Sequence, residues 1–237
     1  MKITMIHGQS HRGSSCHIGQ LLAAQFPGSE LSEFFLPREL NHFCLGCYAC
    51  LEDETKCPCY AEKKRIMDEV ERADLLIFTT PTYCMHASAP MKAFIDLNFS
   101  RWMSHKPRAC MFSKRAVVIS TAAGAGTRSA IKDVTTMLFH WGVPWVKTFG
   151  ISVQAMCWEQ VSDRKKAKIE RKIGMLASAI KRKKTVRVGL KTRFMFGLMR
   201  MMQKKGWGAS PKEKEYWEKN GWLASGRPWK DTQRSAQ

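Results

Sequence analysis

No stretch of 18 or more apolar residues occurs anywhere in the 237-residue chain, so the sequence holds no segment patterned to span a bilayer as a helix. The opening segment MKITMIHGQ also lacks the apolar stretch and small-residue cleavage site of an export signal, and the expectation is a cytoplasmic protein. The first glycine loop lacks the G-x-G-x-x-G spacing, which argues against a dinucleotide pyrophosphate lying on its backbone. Acidic residues are scarce: 20 Asp and Glu stand against 39 Lys and Arg. With 44% hydrophobic and 25% charged residues, disorder throughout is excluded. The length suits one α/β domain of about 180 residues with an appendage.

The positive charge is unevenly distributed. Residues 1–162 carry 17 basic and 14 acidic groups, a net +3, whereas residues 163–237 carry 22 and 6, a net +16. A localised positive field implies an anionic partner, whether nucleic acid, acidic membrane surface or acidic protein, and says little about fold.

Apolar patterning predicts five strands, at Lys2 to His7, Ser29 to Leu36, Leu75 to Thr79, Lys114 to Ser120 and Val146 to Val153. Helical spacing alternates with them, through Ile18, Leu21 and Leu22, through Ile66, Val70 and Ala73, and over Pro90 to Phe99, Ser129 to Trp141 and Asp163 to Lys183. Such alternation implies a doubly wound five-stranded parallel sheet with helices on both faces over 1–183, followed by a basic extension over 184–237. Residues 37–60 read as irregular. Ligands of such sheets bind beyond the carboxyl ends of the strands, so a site has to be built from loops 8–15, 37–60, 80–88 and 121–128.

The first loop offers Ser10, Ser14 and Ser15 as short hydroxyl donors and Arg12 as a cation, beside a helix amino terminus. That set suits a terminal phosphate monoester; a Ser-rich helix cap is the alternative. The third loop, with Pro81, Thr82, Tyr83, Cys84 and Met85, can hold a flat heteroaromatic between main-chain polar groups and a ring, or it is a plain turn. Thr121, Ala122 and Gly124 belong to a small-residue loop that either lets backbone approach a ligand or packs a helix closely.

Five of nine cysteines fall within 16 residues. In a chain without an export signal they are not read as a disulfide framework. Cys44, Cys47, Cys50 and Cys57 follow C-x2-C-x2-C-x6-C, a spacing that can reach one 4Fe-4S cluster, with Cys59 a spare or a replacement. Zinc more usually takes two separated C-x2-C pairs, and reduced structural or redox-sensing thiols are the remaining reading. Cys16, Cys84, Cys110 and Cys157 read as small buried apolar side chains.

Together these motifs resemble the flavodoxin-like NAD(P)H-dependent FMN reductases, including the branch of iron-sulfur flavoproteins, over roughly residues 1–183. The resemblance rests on the Ser10, Ser14 and Ser15 loop, on Pro81-Thr82-Tyr83, on Ala89-Pro90-Met91-Lys92-Ala93-Phe94-Ile95-Asp96 and on Cys44-Leu45-Gly46-Cys47-Tyr48-Ala49-Cys50. It implies FMN, with its phosphate at the first loop and its isoalloxazine over Pro81 to Tyr83. It also implies NAD(P)H as co-substrate, a quinone, small-molecule or protein acceptor, and a homodimer or homotetramer. The alternative is an iron-sulfur flavoprotein acting as an electron carrier without its own substrate. No nucleophile, base and orienter set is expected among His11, Arg12 and His86, in keeping with a cofactor that carries the chemistry.

In the tail, Leu190, Phe194, Leu198 and Met201 recur at helical spacing among cations. A basic amphipathic helix can lie on an anionic membrane or in a partner groove. The expectation taken here is that these side chains are buried against the chain's own domain and a neighbouring subunit. A nucleic-acid role rests on the tail's charge alone and is disfavoured.

Overall fold

The computed structural model describes residues 1–230; the end of the tail, 231–237, lies outside the described residues. Five parallel strands form the sheet: β1 (Lys2–His7), β2 (Glu30–Phe35), β3 (Leu75–Tyr83), β5 (Arg115–Ala122) and β6 (Trp145–Ser152). Their order is β2-β1-β3-β5-β6, and a two-residue strand β4 (His86–Ala87) folds back antiparallel on the end of β3. This is the flavodoxin-like arrangement expected from the sequence.

Eight helices accompany the sheet among the described residues: α1 (Ser14–Ala23), α2 (Ala49–Glu52), α3 (Tyr60–Arg72), α4 (Ala89–Leu97), α5 (Thr127–His140), α6 (Asp163–Arg182), α7 (Leu190–Lys204) and α8 (Pro211–Lys219). The period-two side-chain alternation of the strands divides the core. Ile6, Leu76, Phe78, Ala116 and Val118 face α3, α4 and α5, whereas Met5, Leu75, Ile77, Val117 and Ile119 face α1 and α6. Leu75 through Phe78 are wholly buried, which is why β3 reads as one unbroken apolar run. Each such side chain contributes about 1.5–3 kcal/mol of burial.

Two local readings are corrected. Residues 37–60 are not wholly irregular, since α2 and a single 3-10 turn at Glu54–Lys56 interrupt them. β3 continues past Thr79 to Tyr83 because Thr80 and Pro81 still pair with β5 and Thr82 and Tyr83 pair with β4 in a hairpin, and neither pairing leaves an apolar signature. Lys114 is buried and donates to the carbonyls of Glu71 and Ala73, both at 2.7 Å, closing the carboxyl end of α3 with a cation where the helix dipole favours one.

The tail folds back on the segment before β5. Met103, Phe112, Val188, Phe196, Trp217 and Trp222 form a third apolar cluster. Polar anchors surround it: Trp217 Nε1 donates to His105 O at 2.6 Å, Tyr216 Oη to Pro107 O at 2.6 Å and Gln203 Nε2 to Ser104 O at 2.9 Å. A capping box of Ser210 and Glu213 starts α8, as its S-x-x-E spacing allows.

The stripe expected on α7 does not face this chain's own domain, and of its four residues Leu198 alone is half-buried. Thr192, Phe196 and Gln203 are the buried residues, and Leu190, Phe194 and Met201 are exposed. The register is set by the aromatic cluster, because Phe196 stacks on Trp217 with centroids 4.8 Å apart and brings a polar Gln203 inward with it. Spacing alone identifies an apolar face; it does not say which face meets the body of the protein.

Candidate functional site

The strand order reverses between β1 and β3, and the loops leaving those two strands border the crevice where such sheets bind ligands. Gly8 N donates to Thr79 O at 2.7 Å. The buried Ser88 hydroxyl donates to Gly8 O, while Ser88 N donates to Thr80 Oγ1 at 3.1 Å. A Cβ on residue 8 would stand 2.6 Å from Ser88 Oγ, so a glycine there lets the two loops meet.

Behind this junction, the buried His7 lies between Thr79 Oγ1, 2.6 Å from Nδ1, and Glu33 Oε1, 2.9 Å from Nε2. Burial holds its imidazole below the ordinary histidine pKa, against the upward pull of Glu33. Cys16 Sγ lies 3.9 Å from His7 Nε2, and burial pushes this thiol up to about 11. Among the described residues, His7, Cys16 and Glu33 are the set of three ligand-type atoms lying within 4.8 Å of one another. They satisfy one another as a hydrogen-bonded network that fixes the strand under the loop.

The first loop ends at Gly13, the cap residue of α1, which offers no side-chain hydrogen bond to the helix. The first-turn N-H groups therefore have no side-chain acceptor at the cap, and a helix amino terminus in that state attracts an anion. Two buried side-chain atoms at the same place, Ser15 Oγ and Gln9 Nε2, have no hydrogen-bond partner. A Cβ on Gly13 would lie 3.0 Å from Gln9 Nε2, so the amide flanks a cradle that a side chain would fill. Ser10 and Ser14 are half-buried and Arg12 is exposed beside them. Buried donors without partners are costly, and a phosphate monoester is the group this set fits.

Across the crevice, Tyr83 pairs with His86 and leaves Cys84 and Met85 as a two-residue turn. Both have positive φ, 47° and 68°, the region a two-residue hairpin of this hand demands and normally fills with Asn or Gly. Asp133 secures the hairpin, accepting from Ala87 N at 3.1 Å and lying 3.1 Å from His86 Nδ1. Tyr83, Cys84 and Met85 are exposed, so Cys84 is not the buried apolar side chain expected; Cys16 is buried, and Cys110 and Cys157 are half-buried. Non-glycine residues held in left-handed backbone mark a place where other structure over-determines the turn, as at ligand clamps.

Pro81 is buried and Thr82 half-buried, with Thr82 Oγ1 3.0 Å from Ser120 Oγ. Thr121 and Ala122 close β5 and are buried, whereas Gly124 is exposed with open space where a Cβ would be. Gly126, at φ +96°, brings its backbone against Met85, whose Sδ would be 3.1 Å from a Cβ there. The crevice thus has unpartnered buried donors at a helix amino terminus at one end and an exposed hairpin shelf at the other.

The structure brings Ser10, Arg12, Ser14 and Ser15 together and sets Pro81 through Met85 along the facing hairpin. Gln9, Ser88 and Asp133 were not identified from sequence. Gln9 and Ser88 adjoin the Ser10 loop and the Ala89 to Asp96 segment, and only their burial distinguishes them; Asp133 joins the site across 46 residues of sequence, where no local pattern points to it.

The cysteine loop lies beyond β2. Cys44, Cys47, Cys50, Cys57 and Cys59 line one narrow crevice with Phe99. Cys44 and Cys47 are exposed, Cys57 is half-buried, and Cys50 and Cys59 are buried. Burial pushes the Cys50 thiol up, with Lys63 and a hydrogen bond to Ser100 pulling it down; burial likewise raises Cys59. Five cysteines lining one apolar cleft are the residue types a thiolate-ligated cluster takes.

Residues 1–156 match the NADPH-dependent FMN reductase family. An iron-sulfur flavoprotein of Archaeoglobus fulgidus is 26% identical over 117 residues, 49% of this chain and 51% of that protein. The chain therefore spans about half the length of the curated relative it matches. Among solved structures, the Smu.1420 protein of Streptococcus mutans superposes with a TM-score of 0.56 at 18% identity, covering 75% of this chain and 98% of the other. An FMN-dependent NADH-azoreductase of Bacillus anthracis, in complex with FMN, gives 0.56 at 10% identity, covering 75% and 100%. At these identities the superpositions speak for the fold.

Proposed function

The chain belongs to the NADPH-dependent FMN reductase family, and on that premise we propose that it binds FMN in the β1–β3 crevice and oxidises NAD(P)H, passing the electrons to a quinone, small-molecule or protein acceptor. The observation that carries this reading is the pair of buried, unpartnered donors, Ser15 Oγ and Gln9 Nε2, at an uncapped helix amino terminus.

In this reading the first-turn N-H groups of α1, with Ser10, Ser14, Ser15 and Gln9, hold the phosphate, and Arg12 supplies a mobile positive charge beside it. Pro81, Thr82, Tyr83, Cys84 and Met85 support the ring, whose polar edge is read by main-chain groups of the hairpin and of the Gly124 loop. Thr121 and Ala122 back that loop from beneath. Bound FMN supplies hydride and single-electron chemistry. The protein's part is to bind, to orient and to keep one face of the ring open to the nicotinamide.

A second reading, an electron carrier with an additional 4Fe-4S cluster, is favoured by the shared crevice of the cysteines. Cys44, Cys47, Cys50 and Cys57 would hold the cluster, with Cys59 in reserve, and the cluster would move single electrons. The exposed Phe43, Leu45 and Tyr48 of the same loop are the surface we assign to a neighbouring subunit in a homodimer or homotetramer, since apolar side chains so grouped mark an interface.

Anaerobic purification, an absorption spectrum, identification of the released flavin, iron and sulfide analysis and steady-state NAD(P)H oxidation test these readings together. Released FMN with turnover supports the reductase; iron, sulfide and negligible turnover support the carrier. FAD, or no flavin after reconstitution, would overturn both.

A further inference from the structure

Helix α7 is held by one side only. Phe196 and Gln203 are buried, and Arg200 donates to the carbonyls of Leu223 and Ala224, so the helix cannot roll to hide its other face. At 3.6 residues per turn, Leu190, Phe194 and Met201 project opposite Thr192 and Phe196. They are 82%, 73% and 43% exposed, and Trp207, just beyond the helix, is 59% exposed. Lys204 and Lys205 flank this stripe on either side, and beyond them Arg193 and Lys191 lie over the Trp229 and Phe139 rings, 5.9 and 4.8 Å from their centres. Lys205 Nζ lies 4.6 Å from the centre of the Trp207 ring.

We propose that this outward face of α7 is a peripheral membrane-binding surface for anionic lipid, with Leu190, Phe194, Met201 and Trp207 entering the headgroup region. The inference goes beyond the redox reading and does not depend on it. The occupant follows from charge. From Arg171 through Lys212 the chain carries 13 Lys and Arg and no Asp or Glu. A second copy of the same surface would bring like charge against like charge. A nucleic acid would satisfy the cations but leave the apolar stripe in water. An anionic bilayer satisfies both: apolar side chains pass the phosphate layer, lysine and arginine stems lie along them, and their heads stay with the lipid phosphates. A tryptophan at the edge suits the same boundary.

The test is co-sedimentation of the full-length, flavin-loaded protein with vesicles of mixed phosphatidylglycerol and phosphatidylcholine, and with phosphatidylcholine alone. The protein is expected to pellet with the mixed vesicles and remain in solution with the neutral ones. The double variant Leu190→Ser with Phe194→Ser, and separately Lys204→Glu with Lys205→Glu, should each lower the partition by about tenfold or more. Both variants should keep the wild-type circular dichroism and flavin content, because none of the four side chains is buried. Flavin content is read separately, so loss of the redox reading would not be mistaken for loss of this one. The proposal is overturned if wild type ignores the mixed vesicles, or if the apolar double variant binds them as well as wild type. It is equally overturned if light scattering without lipid shows a dimer that the apolar variant abolishes, or if an oligonucleotide displaces the vesicles and binds both forms alike.

Discussion

The hydroxyl of Ser88 donates to the main-chain carbonyl of Gly8, joining two loops 80 residues apart in sequence at the point where the sheet order reverses. Ser88 is the cap residue of α4, yet it makes no side-chain bond to that helix. Its hydroxyl is committed to the loop across the crevice, which fixes the width of the proposed flavin site.

Replacing Gly8 with Ala puts a Cβ 2.6 Å from Ser88 Oγ and 3.0 Å from Met91 Cβ. The variant is expected to lose about 1–3 kcal/mol of stability and to retain FMN more weakly, read by denaturant unfolding and flavin titration. A variant as stable as wild type would show that the junction yields freely.

Ser15→Ala separates binding from folding. The hydroxyl is buried and unpaired, so its removal should leave the flavin-free protein as stable as before or raise stability by about 1 kcal/mol. FMN affinity should fall by about 1.5–3 kcal/mol if the hydroxyl serves the charged phosphate. Unchanged affinity would move the phosphate elsewhere.

In metal-free protein a maleimide should modify the exposed Cys44, Cys47 and Cys84 and spare Cys16, which is buried and held near 11. Anaerobic reconstitution with iron and sulfide should then protect Cys44 and Cys47 while Cys84 stays reactive, and Cys47→Ser should take up no cluster but keep FMN. Mass spectrometry reads both; equal labelling before and after reconstitution would sink the cluster.

His7 predicts acid sensitivity. Its folded pKa is lowered from 6.5, by burial first, so above that value the ring is neutral in both states and contributes nothing to the pH slope. Below it the unfolded chain takes up a proton that the folded chain resists. Stability should therefore fall as the pH drops below about 6.5, by up to about 1.4 kcal/mol per pH unit from this group. His7→Gln should flatten that part of the profile, and parallel profiles would refute the assignment.

Trp217 is fully buried and hydrogen-bonded to His105 O at 2.6 Å. Trp217→Ala should cost about 3–5 kcal/mol, whereas Phe194→Ala on the outer face of α7 should stay within about 0.5 kcal/mol. Chemical denaturation of the two variants measures the contrast.

Much of this protein was legible without coordinates. Unbroken apolar runs at Leu75 to Phe78 and Ala116 to Ile119 announced central parallel strands, because burial on both faces needs no polar alternation. The serines after Gly8 and the segment from Pro81 to Met85 announced the crevice, because ligands of such sheets sit beyond strand ends and local residue chemistry shows there.

What the chain order alone determined is therefore the alternation of strands and helices, the flavodoxin-like class, the family motifs and the charge asymmetry, all of which are local or additive properties. Only the tertiary structure decided which face of α7 is covered, since Phe196 had to find Trp217 and Trp222 before Leu190 and Phe194 could be left outside. It alone brought Ser88 to Gly8 and Asp133 to the hairpin, and it alone left Gln9 and Ser15 buried without partners. Contacts across dozens of residues are selected by packing and burial, and neither is written in the spacing of one segment.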